Sequence, residues 1–254
     1  MKIYLGSRDL KPEGYKSLDI DPERHPDILA DISNMPQVKS GSCEELVASH
    51  VLEHLEWPDS FRAISEMARI LRVGGVLRLA VPDMKALLEL MSAHGNPFFA
   101  CGMIFGAGGR TSKFEQHRYG FTAEMLVSIL TALGFGDFDW WGSTLPEGAN
   151  GWFQAGDEKI AVSLNVKAVK KGIPAVDCER LYARLCECPM REFDSVLAEL
   201  LSGTEPANPV AVSPLVYQRI HFQLIEARQR IEFLEKELTK QTAGGNKKKI
   251  FGIM

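Results

Sequence analysis

The spacing of apolar residues predicts an α/β fold with a parallel sheet, and the prediction centres on one strand–helix–strand unit. Glu45–Ser49 reads as a short buried strand, and Asp59–Leu71 as an amphipathic helix with Phe61, Ile64, Met67, Ala68 and Leu71 on one side. Gly74-Gly75 is expected to stop that helix, and Val76–Val81 is a second apolar strand. Such a unit crosses over right-handed and carries functional residues where its strands end, here Ser49-His50 and Pro82-Asp83.

The same alternation extends to about Lys171. Lys2–Leu5 and Lys16–Ile20 are strands, and Ile28–Ile32 is a weaker third. Met84–Ala93 reads as a helix, Gly95–Gly120 as a long glycine-rich loop and candidate lid, and Phe121–Leu133 as a helix stopped by Gly134. Phe135–Trp141 and Lys159–Val169 are the last strands, the second alternating through Ile160, Val162, Leu164 and Val166. Only nine residues, Ser7 to Tyr15, separate the first two strands, and Pro12 and Gly14 discourage a helix there. A parallel pair normally needs a crossover of about a dozen residues, so the first crossover helix is predicted to be missing.

Beyond Lys171 the pattern changes. Residues 172–213 read as a helical segment and a proline-containing linker, 214–242 as one long helix, and 243–254 as a basic, solvated tail. In the long helix Tyr217, Ile220, Leu224, Ala227, Ile231, Leu234 and Leu238 fall on a and d positions of an unbroken heptad pattern. Arg230 at g and Glu235 at the following e would attract across a parallel dimer, which predicts a coiled coil joining two copies or docking a partner protein. Phe222, Ile225 and Phe233 lie off the seam and leave open a helix that packs on its own domain.

Bulk properties narrow the class. A chain of 254 residues with 45% hydrophobic residues can fill a large core, and a net charge of −4 argues against a general nucleic-acid binder. Five cysteines without a framework spacing, Cys178, Cys186 and Cys188 among them, read as reduced, buried thiols. The N-terminus has no apolar signal core and no run is long enough to span a membrane, so the expectation is a soluble cytoplasmic protein.

Six segments carry a family resemblance: Leu5-Gly-Ser, Leu18-Asp-Ile-Asp, Ala30-Asp-Ile-Ser-Asn-Met-Pro, Ala48-Ser-His-Val-Leu-Glu-His-Leu, Leu71-Arg-Val-Gly-Gly and His117-Arg-Tyr-Gly-Phe-Thr. In this order they resemble class I S-adenosylmethionine (SAM)-dependent methyltransferases, most of all the compact ones found with bacterial surface-glycan genes. The resemblance covers residues 1–171. It implies a doubly wound, Rossmann-like sheet of about seven strands whose last hairpin is antiparallel, SAM as cofactor, and a glycan or small hydroxylated acceptor. It also implies a cofactor site of Gly6, Arg8, Asp19, Asp31, Ile32, Ser49 and His50. Asp19 matches the ribose position, with Asp21 as the substitute; Asp31 matches the residue at the adenine amino group, with Ile32 on the ring. Turn capping is the competing reading for Asp21 and Asp31.

The first loop departs from the pattern, since Gly6-Ser7-Arg8 has one glycine where the family has three. Arg8 is a candidate partner of the methionyl carboxylate, a role that suits a bidentate guanidinium, or else a solvated residue or an obstruction. The degenerate loop leaves open an inactive, methyltransferase-like scaffold that acts through its coiled coil. His50, His54 and His117 are the candidate general bases, with Glu53 and Asp83 behind them and structural histidines as the alternative. Trp140-Trp141 and Trp152-Phe153 could line a sugar site or fill the core. His50-Val-Leu-Glu-His54 also fits an inverted zinc-peptidase signature, but Trp57-Pro58 would break the helix that chemistry requires, and no metal is expected.

Overall fold

The computed structural model describes residues 1–95, 97–106, 115–140, 152–155, 158–189 and 195. Its main sheet has seven strands: β1 (Lys2–Leu5), β2 (Lys16–Asp19), β3 (Ile28–Leu29), β4 (Cys43–Ser49), β5 (Leu71–Pro82), β6 (Phe135–Trp140) and β9 (Ser163–Lys170). A separate antiparallel pair is formed by β7 (Trp152–Ala155) and β8 (Glu158–Ala161). The helices are α1 (Trp57–Ile70), α2 (Met84–His94), α3 (Pro97–Phe105), α4 (Ala123–Ala132) and α5 (Cys178–Glu187). The sheet order is β3-β2-β1-β4-β5-β9-β6, parallel through β5 and antiparallel at β9 with both of its neighbours. This is the doubly wound sheet with an antiparallel end that the sequence resemblance implies.

Central strands are buried on both faces, which is why Leu46, Val47 and Ala48 in β4 follow one another without polar alternation. Side chains from α1 (Phe61, Ile64, Met67) and α4 (Leu126, Ile129, Leu130) join the strands in one core. No helix connects β1 to β2. Turns closed by Leu10 N–H on Ser7 O and Tyr15 N–H on Pro12 O make the connection instead.

Four boundaries differ from the sequence reading. The α1 helix ends at Ile70, before Gly74-Gly75, and runs straight into β5. The Lys170 ammonium, 9% exposed, donates to Ala68 O and Leu71 O, so a cation from β9 satisfies carbonyls at the helix end that a glycine cap would otherwise satisfy. Leu71 pairs with Cys43 and Val76 with Glu45, so residues 72–75 bulge out and the regular ladder begins at Val76. The expected loop Gly95–Gly120 contains α3, whose Ala100 packs with Leu87, Leu90 and Val162. Apolar residues all around α3 leave no amphipathic period to read. The expected single strand Lys159–Val169 breaks at Val162, whose carbonyl accepts the Asp83 N–H; β8 turns to β7 while β9 enters the main sheet.

Beyond Lys171, α5 is capped by Asp177 Oδ1 on Arg180 N–H and buries Leu181 and Leu185 in the main core. It meets α1 through Tyr182 Oη–H on Asp59 Oδ1 (3.0 Å) and Arg62 over the Tyr182 ring at 4.8 Å. No helix among the described residues is long and apolar enough to cross a membrane. The coiled-coil heptads and the basic tail lie outside the described residues, as does Trp141.

Candidate functional site

A cavity of about 320 Å³ opens at the carboxyl ends of β1, β2, β3 and β4. Strand order reverses between β1 and β4, so the cavity straddles the switch point where open α/β sheets bind ligands. Its volume is at the lower end of the range for small-molecule sites.

The loop after β1 sets one wall. Gly6 has φ of +62°, and a Cβ there would lie 2.5 Å from Val51 Cγ2, so only glycine fits both the backbone and the neighbour. Arg8 also has positive φ, at +49°, so the left-handed backbone persists at a position without glycine. The Asp19 carboxylate, 7% exposed, holds this loop: Oδ2 accepts Arg8 N–H at 2.8 Å and Oδ1 accepts Asp21 N–H at 3.0 Å. Each oxygen retains a lone pair for a ligand hydroxyl. Asp31 Oδ1 accepts from both the main chain and the hydroxyl of Ser33 at 2.8 Å, so turn capping occupies one oxygen while the residue still lines the cavity beside Ile32.

The opposite wall follows β4. His50 has φ of +52°; its Nδ1 meets Glu53 Oε1 at 3.0 Å and its Nε2 meets Ser163 Oγ at 3.2 Å. Serine, histidine and carboxylate thus stand in the order of a charge relay, but Ser163 is 2% exposed and the chain positions the ring rather than presenting a nucleophile. Glu53 is fully buried in the 3-10 turn Leu52–His54, and its Oε2 has no hydrogen-bond partner among the described residues. Burial works to raise its carboxyl pKa, but the His50 hydrogen bond and the charges of His50 and His54 outweigh this and hold it below the usual range.

The chain returns over this turn through Arg118 N–H and Tyr119 N–H, both donated to Glu53 O, and Tyr119 stacks on Trp57 at 4.8 Å. His54 Nδ1 lies 3.3 Å from Gln116 O, His117 Nδ1 lies 2.8 Å from Met103 O, and the two rings meet edge to face at 4.8 Å. Burial pushes the His54 pKa down, against the opposing charge of Glu53.

Gly6, Arg8, Asp19, Asp31, Ile32, His50 and His54 therefore line one cavity. Ser49 and His117 do not, His117 standing behind His54. Ile20, Val51 and Leu55 add apolar wall, and Glu56, Asp59, Glu115 and Arg118 add charge that sequence reading missed. These residues come from a helix start and a returning segment, which only the tertiary fold brings to the strand ends. Among the described residues six carboxylates and three guanidinium groups line the cavity, a balance that favours cationic ligands. Asp83 is taken up as the cap of α2, with Oδ1 accepting from Lys85 N–H and Ala86 N–H, and Trp140 is buried in the core. The His50–His54 segment has no α-helix, and His50 faces Glu53 and Ser163, so the peptidase geometry does not form.

The family model of the methyltransferase domain matches residues 8–79, a span that includes every residue of the expected cofactor site except Gly6. No curated protein matches the chain. Among solved structures, a SAM-dependent methyltransferase from Thermotoga maritima, described as a possible histamine N-methyltransferase, is 16% identical, with 67% of this chain and 82% of that one covered and a TM-score of 0.44. A SAM-dependent methyltransferase from Methanosarcina mazei is 18% identical over 67% of this chain and 92% of that one, with a TM-score of 0.44. One from Archaeoglobus fulgidus is 14% identical over 66% and 85%, with a TM-score of 0.45. The methyltransferase-domain match implies S-adenosylmethionine as the cofactor.

Proposed function

We propose that this chain is a SAM-dependent methyltransferase that acts on a glycan or another small hydroxylated acceptor. One observation carries the reading: a cavity at the β1/β4 switch point is lined by Gly6, Asp19, Asp31 and Ile32, within or beside the matched span. The donor set fits the cofactor. A carboxylate at the end of β2 suits a ribose diol, the Gly6 cradle admits a close approach that a Cβ would block, and the excess of carboxylates suits a ligand with net positive charge.

When bound, S-adenosylmethionine supplies a sulfonium-borne methyl group for in-line displacement by an acceptor oxygen. In this reading Asp19 orients the ribose and Asp31 the adenine edge. Arg8 pairs with the methionyl carboxylate, using its side chain while its main-chain N–H stays on Asp19. An acceptor hydroxyl must lose its proton. His54, which lines the cavity, suits that task, because hydrogen bonding of its Nδ1–H to a carbonyl leaves Nε2 as the basic nitrogen, and His117 supports it from behind. His50 has both ring nitrogens occupied and serves to position Glu53 and the wall.

Calorimetric titration with SAM and S-adenosylhomocysteine tests the cofactor reading. Micromolar binding is expected, weakened at least tenfold in Asp19→Asn, which keeps an acceptor for the loop but loses the anionic oxygens. No heat and no thermal shift at millimolar ligand would overturn it. With binding established, transfer of labelled methyl to a panel of sugars and sugar nucleotides identifies the acceptor class, and transfer only to amines would refute the hydroxyl reading.

A further inference from the structure

The sequence reading sets Glu53 behind the histidines as a reserve base and treats His54 and His117 as separate candidates. The fold brings them together across 63 positions of the chain, with one ligand atom of each within 4.8 Å of the other two. We infer that Glu53, His54 and His117 form a three-ligand site for a divalent transition metal of the zinc type, at the wall of the cavity.

Three independent features support the site. First, both imidazoles face main-chain carbonyls through Nδ1, and a carbonyl can only accept, so Nδ1 holds the hydrogen and Nε2 presents a lone pair. An imidazole anchored by a carbonyl in this way is the usual outer support of a metal-binding histidine. Second, Glu53 Oε2 is a fully buried carboxylate oxygen without a hydrogen-bond partner among the described residues, although the other oxygen is bonded to His50. A buried carboxylate oxygen left unpaired is costly, and a cation beside it removes the cost. Third, among the described residues the adjoining cavity carries more carboxylates than guanidinium groups.

Two imidazole nitrogens and one carboxylate oxygen are the ligand set of catalytic zinc, in which a fourth position stays open. Bonds of about 2.0–2.1 Å at tetrahedral angles put ligand atoms roughly 3.3 Å apart, so the three side chains would draw in by at most about 1.5 Å. His54 reaches the cavity wall, which makes the open position accessible to water or an acceptor hydroxyl. There the metal would take over from a histidine base, acidifying the bound hydroxyl so that its proton leaves to solvent. That last role rests on the methyltransferase reading; metal binding itself does not.

The test uses the full chain, stripped with a chelator and titrated with Co²⁺ and then Zn²⁺, following Co²⁺ visible absorption and calorimetric heat. One equivalent is expected to bind with a low-coordinate Co²⁺ spectrum that Zn²⁺ displaces. Affinity should fall at least tenfold in His117→Ala and in Glu53→Gln and stay unchanged in the remote His25→Ala. Glu53 is deeply buried, so His117→Ala, at a half-buried position, keeps the test valid if Glu53→Gln does not fold. Absence of Co²⁺ binding, binding indifferent to His117→Ala, or a thiolate charge-transfer band placing the metal on cysteine would each overturn the site. SAM titration of the metal-free protein is a separate measurement, so failure of the metal site and failure of the cofactor reading are distinguishable.

Discussion

Replacing Gly6 with alanine probes the contact on which the cavity is built. Gly6 sits at φ +62°, and an added Cβ would lie 2.5 Å from Val51 Cγ2 and 2.9 Å from Val51 Cβ. A left-handed alanine costs about 1–2 kcal/mol, and overpacking against a neighbour costs about 1–3 kcal/mol. The stiffer unfolded chain returns about 0.4–1 kcal/mol, so a net loss of about 2–3 kcal/mol is expected, visible as a lower urea midpoint at unchanged slope. Val51→Ala removes the nearer methyl groups. Alone it should destabilise, but in the Gly6→Ala background it should recover about 1 kcal/mol, because residues in contact couple while the backbone cost at position 6 remains. Both positions line the cavity, so Gly6→Ala should also weaken SAM binding at least tenfold. A Gly6→Ala protein within 0.5 kcal/mol of the parent, a threshold at the noise of surface substitutions, with additive double-mutant energies would refute this reasoning.

Three further outcomes follow from other positions. Burial raises the Asp83 carboxyl from 3.8 to about 6, with its two N-cap hydrogen bonds opposing, so the folded protein keeps a proton that the unfolded chain has released. The stability this contributes is full below pH ~3.8 and is lost as pH rises through about 6, at most about 3 kcal/mol. Urea midpoints between pH 4 and 7.5 should therefore fall less steeply in Asp83→Asn than in the parent, and parallel profiles would discard the effect. Arg8→Ala should weaken SAM binding about tenfold, the scale of one charged hydrogen bond, with little change in melting temperature, because Arg8 holds Asp19 through its main chain; full affinity would discard the carboxylate role. If residues 214–242 pair two copies, Leu224→Asp with Ile231→Asp should halve the mass measured by light scattering, and an unchanged mass would remove the coiled coil.

The legible parts of the molecule were those written in local pattern. Buried parallel strands such as Leu46–Ala48 have no polar alternation, and the short, Pro12- and Gly14-containing link between the first two strands excluded a crossover helix. Asp19 was placed at the end of a strand by local pattern, and it lines the cavity there. Most of the errors have non-local causes. The end of α1 depends on Lys170, 99 positions beyond Leu71, and the break at Val162 depends on a hydrogen bond from Asp83. The helix over Pro97–Phe105 has no apolar period because it is apolar on every side. The pairing of His54 with His117 required the returning segment to bond Glu53 O, a contact that no spacing rule encodes.

Arg8 is where the first loop departs from the family pattern. The single glycine of Gly6-Ser7-Arg8 leaves an inactive scaffold open, because the family's three glycines let the backbone approach the cofactor closely. Arg8 has φ of +49°, two positions after Gly6 at +62°. Asp19 receives the Arg8 N–H at 2.8 Å, and Ser7, fully buried, donates its N–H to Leu18 O, so bonds to β2 hold the left-handed turn on both sides. A non-glycine residue in that region costs about 1–2 kcal/mol and persists only where its surroundings over-determine it. The loop therefore holds a left-handed residue without a glycine at that position, and Arg8 adds a guanidinium to the cavity lining. Whether that charge meets a ligand carboxylate is what Arg8→Ala decides.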